Sequence, residues 1–188
     1  LSEIFDLINL TNIKDLVLNL EVKSTPIEDG LTPPPDEMVK IIMNDIEKSN
    51  LTENIIVSSF DWRILKEFKI QAPELVRGYL SYQQNAGVKI SNTIYKNSPW
   101  MDLTLSFNEF ELPNLIKEIG GKVWCPFYKD ITKKNVEMAH DKDLYVNVWT
   151  VNEEHSFMKM IDYGVDGIIT DYPLELKKVC EKNSIGWF

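Results

Sequence analysis

The amino-acid sequence predicts an α/β fold in which parallel strands alternate with helices. Short segments rich in β-branched and aromatic residues are followed by helical patterns along the whole chain, which is typical of βα units. About six such units fit into the 188 residues, whereas a closed barrel needs eight units in about 250 residues. The first predicted helix also precedes the first predicted strand. We therefore expect an incomplete TIM (β/α)8-type barrel, a single domain over residues 1–188 that lacks the first two strands.

The first half of the chain supplies three of these units. A helix over residues 2–10 carries Ile4, Phe5 and Ile8 on one face, the spacing of an amphipathic helix. A strand over 15–23 is followed by a loop rich in proline and glycine, KSTPIEDGLTPPP. The remaining predicted elements in this half are a helix over 36–48, a strand over 54–60, a helix over 61–71, a strand over 75–81 and an irregular insertion over 82–99.

The second half continues the alternation. A strand over 101–107 leads to a helix that ends at Gly120–Gly121, a natural C-terminal stop. The most regular strand pattern is LYVNVWTVN, residues 144–152. A helix with Phe157, Met160 and Ile161 on one face follows it. The other predicted elements are an extended segment over 122–126, a helix over 132–141, a strand within 164–171 and a helix over 174–182.

Composition and charge exclude several classes of protein. The chain has 44% hydrophobic residues and a net charge of −9, from 20 basic and 29 acidic side chains. This balance argues against nucleic acid as a partner, because phosphate backbones are bound by clustered Lys and Arg. No segment reaches the roughly 18 to 20 apolar residues of a membrane-spanning helix. The N-terminus does not have a signal-peptide pattern, and the compartment stays open, with the cytoplasm slightly favoured.

Cysteine and histidine do not form a recognisable site. Cys125 and Cys180 lie far apart without metal-ligand spacing, so we expect two buried thiols rather than a disulfide. The two histidines, His140 and His155, both fall in helical patterns. Catalytic groups of a barrel enzyme lie at the carboxyl ends of strands. We therefore do not expect either histidine to act as the catalytic base.

The strand over 15–23 places two charged residues near its carboxyl end. Alternation puts Leu16, Leu18, Leu20 and Val22 on one face and Val17, Asn19, Glu21 and Lys23 on the other. Glu21 and Lys23 would then project into the mouth of the barrel. A carboxylate there can bind a divalent cation, and an ammonium can neutralise a phosphate oxygen. The alternative is a structural ion pair without a chemical role.

Other polar and aromatic residues lie at strand ends. In the strand over 144–152, Asn147 and Trp149 would point inward, where Trp149 either walls a ligand pocket or fills the core. Asp171 follows the last strand and is expected to cap the next helix or to fix the loop. Ser58 and Ser59 end the strand over 54–60, and one of them should face the mouth.

Four motifs, in this order and at about this spacing, resemble glycerophosphodiester phosphodiesterases. They are LNLEVKS (18–24), SSFDW (58–62), VNVWTVNE (146–153) and YGVDGIITDYP (163–173). The resemblance implies a TIM barrel that binds one divalent cation, Ca2+ or Mg2+, and cleaves glycerophosphodiesters to glycerol 3-phosphate and an alcohol. It also implies that Glu21 is a metal ligand, that Lys23 is the catalytic residue that contacts the phosphate, and that Trp149 lines the substrate pocket.

The chain also departs from the family's pattern. The family's H-R-G segment, its E-x-D pair and the H-D segment that follows its second strand do not occur here. The resemblance therefore implies that catalytic histidines are lacking and that these 188 residues are inactive alone. Self-association or an N-terminal segment could complete the barrel. Two alternatives stay open, a non-catalytic remnant that acts as a binding module and a related phospholipase-type phosphodiesterase.

Overall fold

The computed structural model describes residues 1–11, 16–28, 30–84, 92–101 and 111–186. These residues form six strands and seven helices that alternate along the chain, as the sequence predicts. The strands are Leu18–Glu21 (β1), Ile55–Ser59 (β2), Val76–Ser81 (β3), Val123–Pro126 (β4), Tyr145–Val148 (β5) and Gly167–Ile168 (β6). The helices are Ser2–Thr11 (α1), Pro35–Ser49 (α2), Trp62–Gln71 (α3), Leu112–Glu118 (α4), Lys133–His140 (α5), Glu154–Tyr163 (α6) and Pro173–Lys182 (α7).

The strands follow one another in the sheet in chain order, β1-β2-β3-β4-β5-β6. The pairs β1–β2, β2–β3, β4–β5 and β5–β6 are parallel, which confirms the predicted α/β fold. The chain divides into two compact units, Leu1–Tyr79 with Lys96–Leu105 and Leu80–Tyr95 with Ser106–Phe188. The single domain over 1–188 stays a prediction. Of the predicted strand over 101–107, all but Met101 lies outside the described residues.

The first unit has an apolar core between β1–β2 and the helices α2 and α3. Leu18, Leu20, Val22, Ile55 and Val57 project from the strands into this core, where they meet Val39, Met43 and Ile46 of α2 and Ile64 and Phe68 of α3. Since successive side chains of a strand point to opposite faces, the other face of β1 carries Asn19 and Glu21. Both are exposed, whereas Leu18 and Leu20 are partly buried. The predicted sorting of this strand is therefore correct.

Helix boundaries in the first unit follow local sequence signals. Helix α2 begins at Pro35, where a fixed φ suits the first helical turn, and ends before Asn50, which has a left-handed φ of 58°. Helix α1 differs from its prediction, because Phe5 is 2% exposed but Ile4 is 52% exposed. Its buried face is therefore narrower than the apolar spacing suggested.

The second unit contains β4, β5 and β6 with helices α4 to α7. The carbonyl of Ser81 at the end of β3 accepts a hydrogen bond from the N–H of Phe127 after β4, at 3.0 Å. Helix α5 begins with a capping box in which Thr132 and Asn135 satisfy each other's backbone N–H groups. Cys125 and Cys180 are buried and free, as predicted. No helix within the described ranges is long and apolar enough to cross a membrane.

Candidate active site

The charged pair lies at the carboxyl end of β1. Glu21 is the last residue of the strand, and the Nζ atom of Lys23 lies 3.2 Å from Oε2 of Glu21. The Glu21 side chain is 35% exposed and the Lys23 side chain 80%. The structure thus brings together the carboxylate and the ammonium at the strand end where barrel enzymes build their active sites.

Ser58 lies next to Glu21 on the face that points away from α2 and α3. The two residues are register partners in the β1–β2 pair, and the Ser58 hydroxyl donates a hydrogen bond to Oδ1 of Asn19 at 2.8 Å. Ser59 points to the opposite face, and its hydroxyl donates to the carbonyl of Val22 at 2.8 Å. Ser58 is therefore the serine on the Glu21 face, and both hydroxyls bond within the protein.

Asp61, directly before α3, forms a buried polar centre that the sequence analysis missed. Its carboxylate accepts hydrogen bonds from the Ser24 hydroxyl at 2.9 Å and from the backbone N–H, Nε and Nη2 of Arg63 at 2.8–3.1 Å. Asp61 is 1% exposed. The bonds to this carboxylate raise the pKa of Arg63, while burial acts in the opposite direction. A cavity of about 190 Å3 lies beside these residues, lined also by Thr25, Pro26 and Ile64.

The second unit has an aromatic cluster at the carboxyl ends of three consecutive strands. Tyr82 follows β3, Phe127 follows β4 and Trp149 follows β5, with ring centroids 5.2–6.1 Å apart. The indole N–H of Trp149 donates to the carbonyl of Cys125 at 2.9 Å, and Trp149 is 9% exposed. The buried Tyr82 hydroxyl has no hydrogen-bond partner among the described residues. A substrate contact by Trp149 stays a prediction.

Asp130 links the segments that follow β3 and β4. Its carboxylate accepts a hydrogen bond from the backbone N–H of Gln83 at 2.8 Å. Burial raises the pKa of Asp130, and the hydrogen bonds from the Gln83 backbone and the Gln84 side chain partly offset this. The carboxylate therefore connects two loops of the second unit, and its burial there removes part of its hydration.

Both histidines lie in helices, as the sequence pattern predicts. His140 is the last residue of α5, and its Nε2 lies 2.9 Å from Oδ2 of Asp166, which also accepts the N–H of Val146. This pair is at the amino ends of β5 and β6, the edge opposite to barrel active sites. His155 is in the first turn of α6, with Nδ1 3.3 Å from the exposed Glu153 carboxylate.

Asp171 fixes a loop and does not cap a helix. Its Oδ2 accepts a hydrogen bond from Nδ2 of Asn152 at 2.8 Å, and Oδ1 of Asn152 accepts from the Asp171 N–H and the Thr170 hydroxyl. Helix α7 starts after Tyr172 without a side-chain cap. The capping alternative is therefore wrong, and the loop alternative is confirmed.

The described residues do not contain a complete cation site. Divalent Ca2+ and Mg2+ prefer several oxygen ligands, and Glu21 offers one carboxylate next to Lys23. In the described part of the chain, no group of three or more His, Cys, Asp and Glu residues could hold a metal ion. Glu21 alone therefore does not make a cation site, which needs further oxygen ligands.

Comparison with known proteins identifies the family. The sequence profile of the glycerophosphoryl diester phosphodiesterase family matches residues 3–175. The chain belongs to this family. A glycerophosphodiester phosphodiesterase of Caldanaerobacter subterraneus is 32% identical over 182 residues, which cover 97% of this chain and 61% of that protein. Lysophospholipase D GDPD3 of Homo sapiens is 23% identical over 164 residues, 81% of this chain and 51% of that protein.

Solved structures of phosphodiesterases have the same fold. A Silicibacter pomeroyi protein described as a glycerophosphoryl diester phosphodiesterase has a TM-score of 0.81 at 32% identity, over all of this chain and 58% of that chain. An Oleispira antarctica phosphodiesterase, solved with the product sn-glycerol-3-phosphate, has a TM-score of 0.66 at 19% identity, over 96% and 60%. The incomplete TIM-type barrel is thereby confirmed. The chain spans about three fifths of the length of these first relatives.

Proposed function

We propose that the protein containing this chain is a phosphodiesterase that hydrolyses glycerophosphodiesters to glycerol 3-phosphate and an alcohol. The Glu21–Lys23 pair carries the proposal, because its place at the carboxyl end of β1 suits a barrel active site. The family and the 32% identity to a glycerophosphodiester phosphodiesterase support it. The negative net charge of −9 is compatible with a small phosphodiester, which needs one cationic group rather than a basic surface.

Lys23 is the proposed catalytic residue. Its ammonium is 80% exposed and contacts Glu21 at 3.2 Å. A phosphodiester gains negative charge on its oxygens as the nucleophile attacks, and a fixed ammonium stabilises that charge. The contact with Glu21 places the ammonium near the strand end.

We further propose that Glu21 is a ligand of one divalent cation, Ca2+ or Mg2+. The ion would supply Lewis-acid stabilisation of the phosphate oxygens. Its other ligands would have to come from outside the described residues, which supply no group of three candidate ligands. Trp149 is proposed to line the substrate pocket from the end of β5.

These 188 residues on their own are expected to hydrolyse glycerophosphocholine no faster than buffer. Hydrolysis at neutral pH generally needs an acid or base placed at the scissile bond. His140 pairs with Asp166 at the amino ends of the strands, and His155 lies in the first turn of α6. A turnover of about 1 s−1, ordinary for an enzyme, would show that one of these histidines does act as the catalytic acid or base.

Two substitutions in the product of the complete gene test the roles of the charged pair. Glu21→Gln keeps the size and removes the charge, so it should weaken cation binding and lower turnover by orders of magnitude while the fold persists. Lys23→Met should leave cation affinity nearly unchanged and lower kcat/KM, because it removes charge stabilisation at the phosphate. Cation titration, steady-state kinetics and melting temperature are measured on both variants.

A structural ion pair predicts a different result from the same measurements. Both substitutions would then lower the melting temperature by similar amounts, and cation affinity would stay as in the wild type. That outcome would refute the functional role of Glu21. Because a human relative is named a lysophospholipase D, lysophosphatidylcholine is tested beside glycerophosphocholine, and a preference for it would favour the phospholipase-type alternative.

A further inference from the structure

The backbone is fixed on both sides of Lys23. On one side, the N–H of Val22 donates to the Ser58 carbonyl at 2.7 Å, and the Val22 carbonyl accepts from the Ser59 hydroxyl at 2.8 Å. On the other side, the Ser24 hydroxyl donates to Oδ2 of Asp61 at 2.9 Å. Strand β1 ends at Glu21, so these bonds hold the backbone in place beyond the last residue of the strand.

Asp61, which accepts the hydrogen bond from Ser24, is itself held in place by several contacts. The residue is 1% exposed, and three groups of Arg63 donate to its carboxylate. Its own N–H donates to the Ser59 hydroxyl at 3.0 Å, the same hydroxyl that holds the Val22 carbonyl. Lys23 is thus tied on one side to the end of β2 and on the other side to Asp61, which lies between β2 and α3.

The Lys23 side chain lacks comparable support. Its side chain is 80% exposed and pairs with Glu21, which is a weak restraint because exposed ion pairs contribute little. The position of the Lys23 ammonium then depends on where the backbone holds the Cα atom of Lys23. We propose that the Ser24–Asp61 hydrogen bond is a positioning device for Lys23, with Ser24 and Asp61 as positioning residues that act through the backbone.

This inference rests on the proposed role of Lys23 at the phosphate. If the backbone at residue 24 is released, the ammonium moves relative to the reacting atoms. Misplacement of a catalytic group by about 1 Å can cost up to about a hundredfold in rate. Ser24 is the better residue to change, because Asp61 also caps α3 and pairs with Arg63, so its loss would alter folding as well.

The test compares three single variants in the product of the complete gene. Ser24→Ala should lower kcat for glycerophosphocholine about tenfold, with a smaller change in KM, and Ser24→Thr should restore most of the rate because it keeps the hydroxyl. Ser49→Ala is the matched control. The Ser49 hydroxyl also makes hydrogen bonds within the first unit, to the Ile46 carbonyl and from the Leu51 N–H. Ser49 is buried, but it is the last residue of α2 and precedes the amino end of β2.

A double-mutant cycle separates this inference from the proposed function. In the Lys23→Met background, Ser24→Ala should have no further effect on kcat, because the group that it positions is already gone. If the two effects instead multiply, the positioning role is refuted while the proposed function stands. If Lys23→Met alone leaves kcat/KM unchanged, the proposed role of Lys23 at the phosphate fails, and this inference fails with it, whereas the proposed function fails only if the wild type does not hydrolyse glycerophosphocholine.

Amide hydrogen exchange supplies a readout that does not depend on activity. Ser24→Ala should accelerate exchange of the Val22 amide, whose N–H donates to the Ser58 carbonyl, at least about tenfold over the wild type, since the local opening loses a hydrogen bond to a charged acceptor. Ser49→Ala should leave this amide unchanged. Equal exchange of the Val22 amide in both alanine variants would overturn the inference.

Discussion

Replacement of Asp61 by alanine tests the buried polar centre at the start of α3. The substitution removes a carboxylate that accepts hydrogen bonds from the Ser24 hydroxyl and from three groups of Arg63. It removes the side-chain cap of α3 at the same time, since the Arg63 N–H is the capped donor. We expect a clear loss of stability, because Asp61 is 1% exposed and its carboxylate accepts all of these bonds within the protein.

The magnitude follows from the three interactions that are lost. A helix N-cap contributes about 1 kcal/mol, and the hydrogen bond from Ser24 contributes about 1 kcal/mol. The ion pair is placed near the upper end for exposed pairs, about 1 kcal/mol, because the Arg63 side chain is 40% exposed. The total of about 3 kcal/mol lowers the melting temperature by roughly 6–12 °C for a protein of this size.

Thermal denaturation followed by circular dichroism at one pH and salt concentration measures the effect. Asp162→Ala is the matched control, because Asp162 also pairs with a basic residue, Lys133 at 3.6 Å, but its side chain is 72% exposed. The control should shift the melting temperature by no more than about 2 °C. Equal shifts in the two variants would refute the argument that burial makes Asp61 important.

Two further predictions concern the second unit. In Gly167→Ala, the added Cβ would lie 2.5 Å from Oδ1 and 2.9 Å from Cγ of Asn147, so the end of the Asn147 side chain has to move. Because that side chain is flexible, we expect a loss of about 0.5–1.5 kcal/mol in urea denaturation. Asn147→Ala in the same chain should recover most of it. Burial raises the pKa of Asp130, so the folded state binds its proton more tightly than the unfolded state, and the stabilisation present at low pH is lost as the pH rises through the raised pKa. We therefore compare the melting temperatures of the wild type and Asp130→Asn. The wild-type value minus the variant value should fall as the pH rises above the ordinary Asp range, and an increase of this difference with pH would contradict a raised pKa of Asp130.

The alternation of strands and helices was predictable because it depends on local properties. The strand over 54–60 and the helix over 61–71 agree with β2 and α3 to within about a residue, since β-branched residues and a capping aspartate mark that boundary. The first strand was predicted over 15–23, which is too long, because β1 spans only Leu18–Glu21. The segment 164–171 contains only two strand residues, Gly167 and Ile168. The length of a strand depends on how many of its residues pair with a neighbouring strand, and the sequence of one segment does not show this pairing.

The contacts of Asp61, Asp166 and Asn152 could not be predicted from the pattern. Ser24 and Asp61 are 37 residues apart, His140 and Asp166 are 26 apart, and Asn152 and Asp171 are 19 apart. Period and propensity describe neighbours within a few residues. A capping signal before Trp62 could have marked Asp61 as a helix start, but nothing local indicated that its carboxylate also holds Ser24.

The sequence by itself determined the family, the α/β alternation and the face of β1 on which Glu21 lies, because motifs and a side-chain period of two are properties of consecutive residues. The tertiary structure alone decided that His140 pairs with Asp166 at the amino ends of the strands and that Ser24 is bonded to Asp61 beside Lys23. Both depend on which distant segments the sheet register brings to the same edge. That register is set by packing of the strands against their helices, a property of the whole folded chain.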